Sequence, residues 1–249
     1  MYREELTHYS NCLGRDMNMR IYGHGGLPLL AFPTQDSPCS NLEDFGMIDC
    51  LSDFLENGRI RIFTVDSVDK ESWSPQGGDM GWRAARQEQY FSYITEEVVP
   101  LILERTGGWL PTTTGMSMGA NHALNHFLRR PDLFSGCLCL SGVYDSDVFF
   151  GGWMDGTLYM NSPERYLPNM AADHPYIGLY NTKDIILCVG QGAWEEDGVR
   201  SQRFLQQVFE EKGINAWFDF WGYDVNHDWP WWFKQMHYYL PIILKEHGL

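Results

Sequence analysis

The sequence predicts an α/β fold with a mostly parallel central sheet and helices on both faces. Short apolar runs that are typical of buried strands alternate along the chain with longer segments of helical period. The chain has 249 residues, of which 44% are hydrophobic, and this is enough for one large core. Because no internal repeat, low-complexity tract or linker divides the chain, we expect a single domain over residues 1–249.

Eight segments are expected to be strands, because apolar, β-branched or aromatic residues fill them and turn residues bound them. They span residues 6–10, 17–22, 27–32, 60–65, 109–114, 134–140, 185–190 and 216–221. The sequence Gly23-His24-Gly25-Gly26 comes before a buried run, whereas an oxyanion loop should follow one. We therefore interpret residues 23–26 as a hairpin turn.

Apolar residues at three- and four-residue spacing predict the helices. One helical face runs from Leu42 to Leu55 through Phe45, and a long helix carries Phe91 to Leu101 with a kink at Pro100. Further helices are expected at residues 120–128 and 199–212, and a last one begins after Asp228, its candidate N-cap. Residues 146–181 show no strong period, and we interpret them as an insertion of the kind that often covers an active site; whether it forms a lid stays open.

The central motif of the chain is Gly115-Met116-Ser117-Met118-Gly119, a G-x-S-x-G sequence between a strand and a helix. This context predicts a nucleophile elbow, in which Ser117 takes strained backbone angles and the flanking glycines relieve crowding. The N-terminus of the following helix directs N–H groups at the place where an oxyanion forms. Ser117 is therefore the predicted nucleophile, and the Met118 N–H is a predicted oxyanion donor.

The second oxyanion donor should follow the buried strand at residues 27–32. Pro33 has no N–H to donate, so Thr34 or Gln35 must supply it.

An activated serine needs a general base and an acid that orients the base. Of the eight histidines, only His227 follows a late predicted strand on a short loop, and it is the predicted base. Three acids share the turn after the preceding strand, and we favour Glu195 over the alternatives Glu196 and Asp197. The other candidates are Asp145 and Asp147, which follow an earlier strand; Asp224 and Asp228 are interpreted as turn and cap residues.

Composition excludes several classes of partner. A net charge of −15 argues against nucleic acid and anionic membranes, and no apolar run is long enough to span a bilayer. The start of the chain lacks the apolar region of a signal peptide, and six cysteines without disulfide or zinc spacing suit a reducing compartment. We expect a cytoplasmic protein with free thiols, no metal site and no cofactor, whose partner is a small-molecule ester; a homo-oligomer stays open.

The sequence resembles the esterase D/antigen 85-like branch of the α/β-hydrolases, which includes feruloyl and acetyl-xylan esterases, S-formylglutathione hydrolase and mycolyltransferases. The resemblance spans nearly the whole chain and is carried by residues 115–120, by Phe32-Pro33-Thr34 and by the ending at residues 221–232. It implies an α/β-hydrolase fold, and it maps the family's acid onto Glu195. The sequence departs from many members in having Phe32-Pro33 where they carry His-Gly.

The leading hypothesis is a serine esterase that acts on short-chain or aromatic acyl esters, including esters of carbohydrates, through an acyl-enzyme on Ser117. One alternative is acyl transfer to a sugar or alcohol acceptor, because water and a hydroxyl attack the same acyl-enzyme. Another is a catalytically silent binding protein on a hydrolase fold, which predicts a missing triad member. Among the ten tryptophans, Trp194 is the one expected to lie near the substrate.

Overall fold

A computed structural model describes residues 1–249, and the predicted α/β architecture is confirmed. The strands are β1 (Arg3–Ser10), β2 (Arg15–Tyr22), β3 (Leu27–Phe32), β4 (Ile60–Val65), β5 (Thr112–Met116), β6 (Gly136–Leu140), β7 (Asp184–Val189) and β8 (Trp217–Phe220). They form one sheet in the order β1-β2-β4-β3-β5-β6-β7-β8. The strand β2 runs antiparallel to both of its neighbours, β1 and β4, and every other pair is parallel.

The connection at residues 23–26 is not a hairpin turn, and that prediction is wrong. The strand β4 lies between β2 and β3, pairing antiparallel with the first and parallel with the second. Its residues are almost all buried, so it needs a neighbour on each side, whereas β1 alternates between exposed and half-buried positions and forms the edge.

Twelve α-helices surround the sheet. They are α1 (Asn41–Asp44), α2 (Met47–Cys50), α3 (Ser52–Glu56), α4 (Met80–Ser92), α5 (Val99–Thr106), α6 (Met118–Arg129), α7 (Asp147–Phe150), α8 (Gly156–Met160), α9 (Pro163–Tyr166), α10 (Pro175–Tyr180), α11 (Glu196–Lys212) and α12 (Trp229–Glu246). A 3-10 turn (Asp69–Glu71) follows β4, and a π-helical stretch (Tyr93–Val98) joins α4 to α5.

The single helix predicted over residues 42–55 is wrong, because three short helices replace it. Gly46 adopts a left-handed φ of 83° between α1 and α2 and so ends the first helix. Leu42 and Leu55 are buried as predicted, but Phe45 lies on the protein surface.

The predicted disruption of the long helix at Pro100 takes a specific form. Pro100 lies in the first turn of α5, immediately after the π-helical stretch. The proline ring crowds the carbonyl four residues before it, and a locally wider helix accommodates that conflict.

The helices divide between the two faces of the sheet. The helices α4, α5, α6 and α11 bury one face, with Tyr90, Leu124 and Leu205 in its core, while α1 to α3 and α12 cover the other. All six cysteines are free, as predicted. None of the helices combines the length and apolar composition that crossing a membrane requires.

Candidate active site

Ser117 stands at the turn between β5 and α6, at the carboxyl end of the sheet. Its backbone angles are φ 57° and ψ −125°, which are strained for any residue except glycine, and its N–H donates to Leu140 O at 3.0 Å. A side chain at Gly119 has no room, because its Cβ would lie 2.4 Å from Phe32 O. The chain therefore folds here into the tight turn that the G-x-S-x-G motif predicts.

Among the predicted oxyanion donors near Ser117, two backbone N–H groups have no hydrogen-bond acceptor within the protein. One belongs to Met118, the first residue of α6, and the other to Gln35, in the loop that follows β3. The N–H of Thr34 is already occupied, since it donates to Asn41 Oδ1 at 3.0 Å. Of the two predicted alternatives in this loop, only Gln35 has a free donor.

His227 and Glu195 are hydrogen-bonded to each other. His227 Nδ1 lies 3.1 Å from Glu195 Oε2, and the Glu195 side chain is 1% exposed. Glu196 and Asp197 lie at the surface, where Asp197 pairs with Arg200 at 2.7 Å. Because Glu195 is the N-cap of α11, its side chain turns inward while the next two residues begin the exposed face of the helix.

The loops that carry Glu195 and His227 are bonded together along their backbones. The N–H of Gly192 donates to Val225 O at 2.8 Å, and the N–H of His227 donates to Ala193 O at 3.0 Å. The N–H of Ala193 also donates to the Asn226 side chain at 2.8 Å. These bonds fix the imidazole relative to the carboxylate before any substrate binds.

Ser141 and Trp232 complete the surroundings of Glu195, and sequence reasoning missed both. Ser141 Oγ donates to Glu195 Oε1 at 2.5 Å, and Trp232 Nε1 donates to Ser141 Oγ at 3.0 Å. Ser141 has a φ of 52° and follows β6 directly. The position of Ser141 at the carboxyl end of the strand beside the elbow could have marked it as a site residue. No local feature of the sequence links Ser141 to Trp232.

The sheet places Ser117 and His227 on the same side, after the carboxyl ends of their strands. Ser117 follows β5, Ser141 follows the adjacent β6, and Glu195 and His227 follow β7 and β8. All four therefore lie at the carboxyl ends of four neighbouring parallel strands. Neither Ser117 Oγ nor His227 Nε2 has a hydrogen-bond partner within the protein. Such contacts are often long in unliganded enzymes and shorten when substrate binds.

The alternative acids Asp145 and Asp147 are engaged elsewhere. Asp145 pairs with Arg200 at 3.4 Å, and Asp147 pairs with Arg165. No group of three or more His, Cys, Asp or Glu side chains is placed to hold a metal ion.

An apolar cluster adjoins Met118 and draws on the segment at residues 146–181. Its buried members are Trp73, Ala84, Met118, Phe150 and Leu158, with Met80, Phe149, Trp153 and Met154 packed against them. The buried guanidinium of Arg83 lies 4.2 Å from the centre of the Phe150 ring and donates to Phe149 O at 2.9 Å. The segment is therefore attached to α4 beside the elbow.

Aromatic side chains also border the site on the side of the acid and base loops. Trp194 precedes Glu195, is 85% exposed and has a φ of 68°. Trp229, two residues after His227, stacks on Phe45 with ring centres 4.8 Å apart. An exposed aromatic residue in a strained conformation is unusual, and it lies next to the buried carboxylate.

Comparison with known proteins identifies the family and the fold of the chain. The model of the family described as "Putative esterase" matches residues 10–241. A solved ferulic acid esterase superposes with a TM-score of 0.76 at 15% identity, over 98% of this chain and 97% of its own. MPT51 of Mycobacterium tuberculosis gives 0.74 at 13% identity, over 98% of each chain.

The S-formylglutathione hydrolase of Staphylococcus aureus gives a TM-score of 0.69 at 15% identity, over 98% of this chain and 96% of its own. At these identities the likeness establishes the α/β-hydrolase fold. A search of curated proteins found no match.

Proposed function

The chain belongs to the esterase family whose model it matches, and we propose that it is a serine esterase in which Ser117, His227 and Glu195 form the catalytic triad. Family membership makes it a carboxylic-ester hydrolase.

One observation carries the proposal: the hydrogen bond between the buried Glu195 carboxylate and the half-buried His227, at the carboxyl ends of the strands where the Ser117 elbow lies. A carboxylate that is removed from water needs partners, and here they are the imidazole and the Ser141 hydroxyl. This arrangement holds the proton of the neutral imidazole on Nδ1. It leaves Nε2 free to accept the proton of Ser117.

The reaction then follows from the atoms in place. Ser117 Oγ attacks the ester carbonyl carbon while its proton moves to His227 Nε2, and the carbonyl oxygen becomes an oxyanion. When the ester C–O bond breaks, His227 gives that proton to the leaving alcohol. Water then attacks the carbonyl carbon of the acyl-enzyme while His227 Nε2 takes its proton. The bond between that carbon and Ser117 Oγ breaks, His227 returns the proton to Ser117 Oγ, and the acid product leaves.

The oxyanion is stabilised by the N–H groups of Met118 and Gln35 in this proposal. Both are free of other acceptors, and the first lies at the N-terminus of α6, where the helix dipole adds to the attraction. The loss of one such donor typically costs about 3 kcal/mol of transition-state stabilisation.

The substrates we propose are short-chain or aromatic acyl esters, including esters carried on carbohydrate. The apolar cluster beside Met118 is rich in tryptophan, phenylalanine and methionine, which suit an apolar or aromatic acyl group. The segment at residues 146–181 contributes to that cluster and would act as a cover for the acyl side. Trp194, exposed beside the acid, would contact the leaving group.

The test is hydrolysis of p-nitrophenyl acetate and butyrate by the wild type and by Ser117→Ala, combined with fluorophosphonate labelling and mass spectrometry. Ser92→Ala is the matched control, because Ser92 is also half-buried but lies on α4, away from the elbow. We expect turnover and a label on Ser117 in the wild type and control, and neither in Ser117→Ala. A folded wild type without turnover or label would overturn the proposal.

A further inference from the structure

A buried pair of titratable side chains lies behind the elbow and takes no part in the steps above. His122 Nε2 lies 2.7 Å from Asp69 Oδ1, and the two side chains are 1% and 0% exposed. Burying a carboxylate away from water is costly unless it is partnered, so the two groups depend on each other. Because burying both groups costs folding free energy, we expect the pair to perform a function.

The pair joins the two elements that carry the oxyanion donors. His122 lies on α6, whose first residue is Met118. The second oxygen of Asp69 accepts the N–H of Asp36 at 3.3 Å, and Asp36 directly follows Gln35. Asp36 has a φ of 61°, a conformation that needs outside contacts to hold it.

Ser74 ties the same loop to Asp69 by a second route. Its hydroxyl donates to Asp36 Oδ1 at 2.5 Å and accepts from Gln35 Nε2 at 2.9 Å. Its backbone N–H donates to Asp69 O at 2.9 Å. The loop after β3 is thus held at both its side chains and its backbone.

We infer that Asp69 and His122 are positioning residues that set the Gln35 N–H relative to the Met118 N–H. The inference rests on the proposed function, since it concerns the oxyanion site of the same reaction. Catalysis by such donors depends on where they stand when charge develops on the carbonyl oxygen, and a misplacement of about 1 Å can cost about a hundredfold in rate. Substrate binding before the reaction depends on them far less.

His126 provides the matched control. It lies one turn further along α6, is also fully buried, and stacks on the same Phe32 ring as His122. Its Nδ1 bonds only to His122 O within the helix, and its Nε2 has no partner. It therefore shares the packing of His122 without the connection to the loop.

The experiment compares Asp69→Asn, His122→Gln and His126→Gln with the wild type. Asparagine keeps the shape of aspartate but has an NH2 group in place of one oxygen, so it cannot accept from both His122 at Oδ1 and the Asp36 N–H at Oδ2. We would measure kcat and KM with p-nitrophenyl acetate and the affinity for an aryl trifluoromethyl ketone. Ser117 adds to that ketone, its proton goes to His227, and the ketone oxygen becomes an oxyanion.

We expect Asp69→Asn and His122→Gln to lower kcat about tenfold at unchanged KM, which is less than the roughly 10²–10³-fold loss from deleting a donor. Affinity for the ketone should fall by a similar factor, and His126→Gln should match the wild type. Folded Asp69→Asn and His122→Gln enzymes with wild-type kcat would overturn the inference. An equal loss in His126→Gln would also overturn it, because packing alone would then explain the effect.

Circular dichroism shows whether each variant folds. Should Asp69→Asn not fold, His122→Gln alone tests the inference, because it removes the imidazole that pairs with Asp69. A lower kcat at constant KM would support the inference, and an unchanged kcat would overturn it. An inactive, unlabelled wild type defeats the proposed function itself, whereas an active wild type with unaffected variants defeats only this inference.

Discussion

Replacing Glu195 by Gln should disable the enzyme by reversing the tautomer of His227. The glutamate accepts two hydrogen bonds, one from Ser141 Oγ at 2.5 Å and one from His227 Nδ1 at 3.1 Å. A glutamine offers one acceptor oxygen and one NH2 group, so one of the two donors must face an N–H.

The structure indicates which of the two donors, Ser141 Oγ or His227 Nδ1, would bond to the amide oxygen of the variant. Trp232 Nε1 already donates to Ser141 Oγ, so the hydroxyl proton has only residue 195 to bond with. Leaving that buried proton unpaired would cost about 1–3 kcal/mol, whereas His227 Nδ1 can change from donor to acceptor. The oxygen should therefore face Ser141, and the proton of His227 moves to Nε2.

An imidazole protonated on Nε2 cannot take the proton of Ser117. A wrong tautomer of this kind lowers kcat by about 10⁴ in serine proteases, and we expect about 10³–10⁴ here, or roughly 4–5.5 kcal/mol of barrier. The assay is p-nitrophenyl butyrate hydrolysis with protein quantified as folded enzyme, and ¹⁵N NMR of His227 reports the tautomer directly.

The double variant Glu195→Gln/Ser141→Ala is the decisive comparison. Without the Ser141 hydroxyl, the glutamine oxygen is free to accept from His227 Nδ1, so kcat should recover about tenfold over Glu195→Gln. A Glu195→Gln enzyme within about threefold of wild type, or a double variant slower than the single one, would refute the reasoning.

Three further predictions concern stability. Gly119→Ala places a Cβ 2.4 Å from Phe32 O and should lower the free energy of unfolding in urea by about 1–3 kcal/mol. The control is Gly178→Ala in α10, where the added Cβ meets no atom within 4 Å, and it should raise the free energy of unfolding by about 0.5–1 kcal/mol. Equal effects of the two substitutions would contradict the tight packing of the elbow. Burial, followed by the charge of Asp145, raises the pKa of Glu164 from 4.5 to about 8. The folded state therefore holds a proton that the unfolded state releases, so the stability of the wild type falls as pH rises from 4.5 through about 8. Thermal unfolding should show that the stability of Glu164→Gln relative to the wild type increases across that pH range. A constant difference between the two proteins from pH 5 to about pH 9 would contradict this, and the exposed Glu196→Gln is the control. Asp228→Ala removes the side chain that caps α12 by accepting from Trp229 N at 2.8 Å, and it should cost about 1 kcal/mol of unfolding free energy, which Asp228→Asn should largely retain.

The sequence was most informative where structure is set locally. The elbow at residues 115–119 and the Asp228 cap depend on neighbouring residues, and both lie where they were predicted. The order of strands β2, β4 and β3 depends on contacts between distant segments, so the hairpin prediction at residues 23–26 was wrong. The spacing of apolar residues predicted one continuous helix over residues 42–55, but a glycine with a left-handed backbone at position 46 ends the first helix.

The same distinction applies to the site. The sequence favours Glu195 as the acid but leaves Glu196, Asp197, Asp145 and Asp147 as alternatives, because the side chain that turns inward depends on where α11 begins. Ser141 lies 54 residues from Glu195, and His122 lies 53 residues from Asp69, so no local pattern pairs them. Partners of this kind become visible once the sheet has placed the ends of its strands side by side.

The residues with a left-handed backbone conformation limit which substitutions can stabilise this protein without loss of activity. Only four residues other than glycine have a positive φ, namely Asp36, Ser117, Ser141 and Trp194, and all four lie in or next to the proposed site. Each conformation of this kind costs about 1–3 kcal/mol. Selection for heat resistance alone would replace these four residues with glycine first, and it would dismantle the esterase while it strengthened the scaffold.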